Sequence, residues 1–293
     1  ALERLQLDAG LAVAEAELLA LSDEMRHFAA QQRAGFRDPA LRLQALHHAL
    51  FDPGELGIVH ERGRSRTARE VFELRSGDCL SLANLFIALA RAAGVDARYQ
   101  EVSLRPAWTQ RADLLVLERH VNVAGRLGGG VEDTVDFLDL TGNEVAPSRI
   151  ASDRRALGLH YNNAAVDQLT QGELAAAIAH FKRALRTDSG LELAWSNLGA
   201  TYRRAGESAA AEAAYLEALE LDPENESAAG NLAALYQQLG RAVEAAHYAG
   251  IAEQHRLRNP YYRAQLADTA LAGGDVDRAV REYRRALALE PGE

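Results

Sequence analysis

The stretch from Ser76 to Gly94, SGDCLSLANLFIALARAAG, decides how the first half of the chain folds. Its apolar residues recur every three or four positions, which is the spacing of a buried helix face. Asp78 is a residue type that commonly caps the start of a helix, and glycine commonly follows the end of one. The stretch therefore predicts a helix that begins at Cys79, the one cysteine in the sequence, and ends before Gly94.

The position of Cys79 in a first helical turn predicts a reactive thiol. The positive end of the helix dipole and the unpaired backbone N–H groups of the first turn both favour thiolate over thiol. The same N–H groups could stabilise an oxyanion on a substrate carbonyl. A buried core thiol is the alternative interpretation, because free cysteine is among the most buried residue types.

Helices are predicted before this stretch and strands after it. Amphipathic patterns predict helices at residues 9–32, 38–51 and 65–75. Alternating patterns predict strands at residues 95–102, 115–123 and 131–140. The first half is therefore expected to be an α+β domain.

Glycines at 125 and 128–130 predict a hairpin between the last two of these strands. A hairpin symmetric about Gly128 would place His120 opposite Asp136, close enough for the carboxylate to orient the imidazole. Asp139 is a competing orienter, although its odd offset from Asp136 puts it on the other sheet face. Together with Cys79, these residues have the parts of a nucleophile, base and orienter system.

The second half of the chain repeats itself every 34 residues. Glycines at 172, 206, 240 and 274 hold one register, and alanines hold two others. Aromatic residues occupy a further position at Phe181, Tyr215 and Tyr283, where the third unit has Ala249. Small residues let paired helices approach closely and the aromatic residues pack between units, so both are expected in the core. The period predicts four units, at 158–191, 192–225, 226–259 and 260–293.

Both halves resemble known families. The first half resembles the transglutaminase-like, papain-related superfamily, most closely its bacterial branch with tetratricopeptide repeats, in segments 66–68, 77–81, 88–99, 120–123 and 134–137. The 34-residue units resemble the tetratricopeptide repeat itself. The resemblance implies an α+β papain/transglutaminase-like domain at 1–150, a linker at 151–157 and an all-α solenoid of four repeats from 158.

The superfamily resemblance also implies roles for single residues. Cys79 would be the nucleophile, His120 the general base and acid, and Asp136 the group that holds the imidazole tautomer. Apart from the resemblance, His60 and Tyr99 are additional candidate oxyanion donors, with plain surface residues as the alternative interpretation. Trp108, in the predicted loop between residues 105 and 113, either walls a substrate channel or folds onto its own domain.

The first helices of tetratricopeptide repeats line a concave, peptide-sized groove. The register places this groove at Asn162, Val166, Leu169, Ser196, Arg203, Arg204, Gln237, Gln238 and Tyr261. Five of these are expected to contact a peptide or protein partner: Asn162, Arg203, Arg204, Gln237 and Tyr261. The asparagines that share one register are interpreted as hydrogen bonders that stabilise the repeats: Asn163, Asn197 and Asn231.

Composition excludes several classes of protein. The 293 residues are 48% hydrophobic and carry a formal charge of −10, which disfavours a nucleic-acid binder. No apolar run is long enough to span a bilayer. One cysteine allows no intrachain disulfide, and neither metal-ligand spacing nor a phosphate-binding glycine loop is present, so no metal or cofactor is predicted.

Two functional hypotheses follow. The first is a thiol-dependent amide or peptide hydrolase or transferase in which the repeats recruit a peptide or protein substrate. The second is a non-catalytic scaffold with a relic triad that binds partners through its repeats. The start at Ala1 without a leader favours a mature exported or trimmed chain, which leaves periplasmic, membrane-anchored and cytoplasmic locations open. The last unit has no polar capping helix, so a continued chain or another molecule is expected to cover it.

Overall fold

The chain folds into two units. The structure, a computed structural model, describes residues 15–289 except 62, 105–107, 112–113, 118–119, 127–131, 136 and 138–144. Its contacts divide the chain into two units, the first ending at Ser189 and the second beginning at Gly190. The mixed α/β region predicted for the first half and the helical repeats predicted for the second half are both present.

The first unit contains helices, then strands, then two more helices. The early helices are α1 (Glu15–Leu18), α2 (Asp23–Gly35), α3 (Pro39–Phe51), α4 (Ala68–Leu74) and α5 (Cys79–Ala92). The strands are β1 (Val59–His60), β2 (Ser76–Gly77), β3 (Asp96–Leu104), β4 (Trp108–Arg111), β5 (Leu114–Leu117), β6 (His120–Arg126), β7 (Glu132–Val135) and β8 (Val145–Ala151). The late helices are α6 (Asp153–Thr170) and α7 (Leu174–Thr187).

Helix α5 is the centre of this unit. Every side chain from Leu80 to Ala90 is buried, and the helix packs against α2, α3 and α4 as well as strands β3 and β6. Asp78 is its N-cap, and the side chain accepts a hydrogen bond from Ser81 N at 2.8 Å. The helix predicted to begin at Cys79 is therefore confirmed.

The other early helices follow the predictions with one correction. The predicted helix at 38–51 is α3, and the predicted helix at 65–75 is the shorter α4, which begins with a capping box between Thr67 and Glu70. The single helix expected at 9–32 is wrong. Ser22 is extended and caps a new helix, α2, by accepting from Met25 N, so α1 and α2 are separate.

The main sheet is antiparallel, in the order β7-β6-β3-β8. In the β6–β7 hairpin Val123 lies opposite Val135, and Arg126 opposite Glu132. These pairs are symmetric about position 129, so the predicted symmetry about 128 is wrong. Each residue of β6 therefore pairs with a residue of β7 that lies two positions later in the chain than predicted. A shift of two leaves every side chain on the same face, so the alternation in the sequence could not distinguish the two registers.

Two strands were not separated by the sequence pattern. The predicted strand at 115–123 is divided, because β5 pairs with β4 in a small sheet of its own while β6 begins at His120. Trp108, expected in a loop, starts β4 opposite Leu117. The pattern does not separate β5 from β6 because both alternate with period two.

Helix α6 belongs to the first unit and docks on the sheet. The buried Glu101 carboxylate on β3 receives Arg155 of α6, through Nε and through Nη2 at 3.2 Å, and Arg149 of β8 lies at 3.3 Å. Arg155 Nη1 also reaches Asp188, at 3.3 Å. At the other end of the contact, Arg91 of α5 makes a two-pronged ion pair with Asp153, at 2.5 and 2.9 Å.

The docking of α6 involves residues 151–157, which the sequence predicts as a linker. Ala151 ends β8 and residues 153–157 form the start of α6, so the segment lies in regular structure. Ser152 caps the helix by accepting from Arg155 N at 3.1 Å. The boundary between the two units falls between Ser189 and Gly190 instead, near the end of the first predicted repeat.

Paired helices continue to the end of the described chain. They are α8 (Glu192–Arg204), α9 (Ser208–Leu221), α10 (Glu226–Gln238), α11 (Ala242–Arg256), α12 (Pro260–Ala272) and α13 (Val276–Leu289). The turns within the pairs contain Gly172, Gly206, Gly240 and Gly274, with φ between 73° and 83°. This left-handed backbone favours glycine, which explains the 34-residue glycine register.

The aromatic register is core in some repeats only. Tyr215 is fully buried, and its ring lies so close to Gly199 that a Cβ there would sit 2.7 Å from it. Phe181 is also fully buried, as predicted. Tyr283 is 36% exposed, and its hydroxyl donates to Asp268 instead. Ala249 is exposed.

We expect Arg155→Ala to lower the free energy of unfolding by about 3 kcal/mol, because it leaves a buried carboxylate without its main partner. Arg98→Ala is the matched control, since Arg98 pairs with Asp96 at the surface and such pairs contribute about 1 kcal/mol or less. Urea unfolding followed by circular dichroism measures both. Equal losses in the two variants would contradict a stabilising role for the Glu101 ion pair.

Candidate active site

The thiol of Cys79 contacts a histidine ring. Cys79 is half-buried at the start of α5, and its Sγ lies 3.3 Å from Nε2 of His60. His60 belongs to β1, which is parallel to β2 and places His60 opposite Gly77. From the sequence, His60 was predicted only as an additional oxyanion donor. The parallel pairing of β1 with β2 brings His60 to the sulfur, and no local sequence pattern indicates this pairing because the two strands are far apart in the chain.

Backbone hydrogen bonds on both sides hold His60 in place. Val59 N donates to Arg75 O at 3.0 Å, and Glu61 N donates to Gly77 O at 2.9 Å. One residue earlier, Ile58 N donates to Leu50 O of α3 at 2.9 Å. The strand that carries His60 is thus fixed to the turn before Cys79 and to α3.

Gly77 is required where it lies because α5 begins immediately beside it. A Cβ at this position would sit 2.7 Å from Ser81 Cβ and 3.2 Å from Val71 Cγ2. Distances this short do not occur between real side-chain carbons without a shift of one partner. The Gly77-Asp78-Cys79 sequence therefore combines a close approach, a cap and the thiol.

A chain of hydrogen bonds runs from α6 to the cap of α5. Asn163 Nδ2 donates to Ser65 Oγ at 2.9 Å, and Ser65 Oγ donates to Asp78 Oδ2 at 2.5 Å. The other oxygen, Oδ1, accepts from the backbone and the hydroxyl of Ser81. Asn163, interpreted as a repeat-stabilising residue, therefore also links α6 to the first half of the chain, and its Oδ1 accepts from Asn162 Nδ2 within α6 at 3.3 Å. Its partner, Ser65, belongs to the loop before α4 and is not among the site residues predicted from the sequence.

A neutral histidine lies near the same cap. Burial lowers the pKa of His160 on α6, against the opposing influence of the Asp78 and Glu70 carboxylates. Its Nδ1 is buried without a hydrogen-bond partner among the described residues. Burial therefore disfavours the charged form of this ring.

The predicted base and orienter are described only in part. His120 begins β6, and its backbone pairs with Val102 of β3, but the position of its side chain lies outside the described structure. Asp136 lies outside the described residues, as does Asp139. The Cys79, His120 and Asp136 triad therefore stays a prediction, and the register correction removes the argument that placed His120 directly opposite Asp136.

Tyr99 is not at the site. It is fully buried on β3, and its hydroxyl donates to Asn84 Oδ1 at 2.7 Å. Burial raises the pKa of this hydroxyl well above its ordinary value. Asn84 in turn donates to Arg66 O at 2.9 Å, which ties α5 to the loop before α4. The candidate oxyanion donor is a core residue.

The predicted groove residues differ in accessibility. Asn162, Leu169 and Ser196 are buried, so their side chains offer no surface for a ligand. Arg203 and Val166 are half-buried, whereas Arg204, Gln237 and Gln238 are exposed. The side chains of Trp108 and Tyr261 lie outside the described structure, and their roles stay predictions.

A groove of about 500 Å³ lies in the third repeat, between its own two helices α10 and α11. Of the described residues predicted to line the concave face of the repeats, Gln237 lines this groove. Gln237 is its polar residue, and small residues form the rest: Gly230, Ala233, Ala234, Gly240, Ala242, Ala245, Ala246 and Ala249. Ala249 stands where other repeats have an aromatic ring.

Comparison with known proteins identifies both halves. The transglutaminase-like superfamily core matches residues 26–130, a range that includes Cys79 and His120. Two tetratricopeptide-repeat models match residues 193–225 and 214–247. The chain therefore carries a transglutaminase-like core domain followed by tetratricopeptide repeats.

Solved structures similar to the chain include two of MamA and one of the APC/C hetero-tetramer Cut9–Hcn1. The MamA structures are 19% and 18% identical, cover 46% and 47% of this chain and 78% and 80% of theirs, and have TM-scores of 0.34 and 0.33. The Cut9–Hcn1 structure is 20% identical over 46% of this chain and 26% of its own, with a TM-score of 0.34. No curated protein matches the chain.

The described part of the chain contains neither a membrane-spanning helix nor a cluster of metal ligands. None of its helices combines the length and the apolar character needed to cross a membrane. No three of its histidine, cysteine, aspartate or glutamate residues are grouped so that they could hold a metal ion.

We expect Asn163→Ala to lower the free energy of unfolding by about 1 kcal/mol, because it removes a hydrogen bond and leaves Ser65 without that donor. Asn231→Ala, in the same repeat register and without this contact, is the matched control. Urea unfolding of both variants measures the difference. Indistinguishable losses would contradict the link between α6 and the cap of α5.

Proposed function

We propose that the protein is a thiol-dependent acyl-transfer enzyme, an amide or peptide hydrolase or transferase, with Cys79 as its nucleophile. The observation that carries this proposal is the contact between Cys79 Sγ and an imidazole nitrogen at the start of a helix. A thiolate is the nucleophilic form of cysteine, and an adjacent imidazole and a helix N-terminus both favour it. The match to the transglutaminase-like superfamily supports the same chemistry.

The reaction follows from these groups. The sulfur attacks the carbonyl carbon of an amide or ester, and the carbonyl electrons move onto oxygen. Backbone N–H groups of the first turn of α5, such as that of Leu80, are donors of the kind that stabilise this oxyanion. Collapse of the intermediate expels the amine or alcohol, which takes up a proton from an imidazolium. Water or an amine then attacks the thioester and releases Cys79.

The residues carried over from the superfamily complete the proposal. The resemblance assigns the role of general base and acid to His120, and the role of holding its tautomer to Asp136. Trp108, which the resemblance does not assign, is proposed to line the substrate channel. The assignments of His120 and Asp136 rest on the resemblance and on the position of His120 at the start of β6, the strand that neighbours β3 in the sheet.

The test of the chemistry is formation of an acyl-enzyme. We expect a panel of fluorogenic acyl esters to give a burst and to add one acyl mass to Cys79, detected by mass spectrometry of peptides. Cys79→Ala should abolish the mass shift and lower turnover at least about a thousandfold, as removal of a nucleophile does. Turnover that persists in Cys79→Ala, or no acyl adduct with any ester, would contradict the proposal and favour the scaffold alternative.

The repeats are proposed to recruit a peptide or protein substrate. Tetratricopeptide repeats stack helix pairs into extended binding surfaces. The groove between α10 and α11 supports this role, since small residues open it to a ligand backbone and Gln237 can exchange hydrogen bonds with a peptide. Arg203, Arg204 and Tyr261 are further proposed contacts.

If the repeats recruit the substrate, a substitution in the groove should raise KM for peptide substrates and leave kcat unchanged. We expect Gln237→Arg to fill the groove and raise KM for a pooled library of heptapeptide esters by about tenfold, equivalent to about 1.4 kcal/mol. Turnover of a small ester with the same acyl group should not change, because that substrate needs no groove. Gln238→Arg is the matched control, since Gln238 is exposed but does not line the groove. Equal KM values for both variants would contradict recruitment through this groove.

A further inference from the structure

The ring that contacts the Cys79 sulfur comes from a strand that precedes the nucleophile in the sequence. The resemblance assigns the base to His120, which follows the nucleophile. In the described structure, however, the imidazole within hydrogen-bond distance of Sγ belongs to His60. A histidine at this distance has two chemical uses: it shares the proton of the thiol, or it donates a hydrogen bond to an oxyanion.

We propose that His60 is a catalytic residue that exchanges the thiol proton with Cys79. In this step the S–H bond breaks, its electron pair stays on sulfur, and the proton forms a new bond to Nε2, giving a thiolate beside an imidazolium. The proposal deepens the proposed acyl-transfer function and rests on it for the fate of the thiolate. The imidazolium proton leaves with the amine or alcohol when the first intermediate collapses to the thioester. When water or an amine then attacks the thioester, it loses a proton to the imidazole, and that proton passes to the sulfur as the C–S bond breaks.

The geometry supports this role because His60 approaches the sulfur itself. Nε2 lies 3.3 Å from Sγ, a distance at which an S–H group can donate to a ring nitrogen. The ring is carried by β1, and the backbone bonds of Val59 and Glu61 to the segment before Cys79 hold it there. The pair is therefore set by the fold and needs no substrate to form.

The charged groups around the pair are engaged with other partners. Glu61 accepts from Ser76 Oγ at 2.7 Å and lies 3.5 Å from Arg66, and these contacts hold the pKa of its carboxyl below the ordinary value. Asp78 is occupied by Ser81 and Ser65.

The neighbouring helices present further titratable or charged side chains. On α3, His48 lies 3.3 Å from Asp52. At the end of α4, the Arg75 guanidinium stacks over the Phe72 ring at 4.8 Å. His160 of α6 is buried, which lowers the pKa of its ring, and the Asp78 and Glu70 carboxylates oppose that shift. His60 is therefore the basic group in direct contact with the thiol in the described structure.

Alkylation separates the two uses of His60. Iodoacetamide reacts with the thiolate at a tetrahedral carbon, so the reaction forms no oxyanion and needs no oxyanion donor. Its rate follows the fraction of thiolate, and the sequence contains one cysteine, so labelling of the full chain reports on Cys79 alone.

The experiment measures the second-order rate of alkylation from pH 5 to 9.5 for the full chain and four variants. His60→Ala removes the ring, and His60→Gln keeps a hydrogen-bond donor but accepts no proton. His120→Ala removes the ring that the resemblance favours. His27→Ala is the matched control, because His27 is exposed and contacts Gln31. Circular dichroism confirms that each variant is folded.

We expect the unmodified protein to show an inflection well below about 8.5, the ordinary thiol value. Both His60 variants should raise the inflection toward about 8.5, with the helix N-terminus as the remaining influence that favours thiolate. An inflection of about 8.5 would leave about 1% thiolate at pH 6.5, so the rate there should fall by about 10- to 100-fold. His27→Ala should behave like the unmodified protein. An unmodified protein with an ordinary thiol profile would overturn the proposal.

Two other results would also overturn it. A profile that His60→Gln leaves unchanged would assign His60 to hydrogen bonding, and a profile that only His120→Ala moves would assign the proton to His120. The acyl-enzyme experiment is independent of both. A thiol activated by His60 that forms no acyl-enzyme would refute the proposed function, whereas acyl transfer undiminished in both His60 variants would refute the role of His60 alone.

Discussion

The carboxylate of Asp78 is the interaction on which the site depends. With one oxygen it caps α5 and so fixes the first turn that carries Cys79. With the other it accepts from Ser65, which is held by Asn163 of α6. Gly77 allows the cap to lie close to the helix, and opposite Gly77 stands His60. The positions of the thiol and its imidazole thus follow from one capped helix start.

Local patterns in the sequence were sufficient for the helices and the repeats. The start of α5 was predictable because a cap, a thiol and an apolar face follow one another within a few residues. The 34-residue register was predictable because glycine is favoured at one left-handed turn in each pair. The break between α1 and α2 was missed, since Ser22 caps a helix inside a continuous amphipathic pattern.

Contacts between distant segments were not predictable in the same way. A hairpin register that slips by two keeps every side chain on its face, so composition alone could not exclude the symmetry about Gly128. The contact of His60 with Cys79 depends on a two-residue parallel bridge between β1 and β2, which leaves no period in the sequence. Asn163 shares a register with Asn231, and only its neighbour Ser65 distinguishes its role.

The docking of α6 has a consequence for how the chain can be divided. Its sequence register belongs to the repeats, yet Asp153 and Arg155 complete ion pairs with α5 and β3, and Asn163 reaches the loop before α4. A fragment that stops at the end of β8 would leave Glu101 without Arg155, Arg91 without Asp153 and Ser65 without Asn163. The smallest fragment that keeps the cysteine domain intact therefore extends through α7 to Ser189, so one repeat cannot be exchanged between proteins without the domain before it.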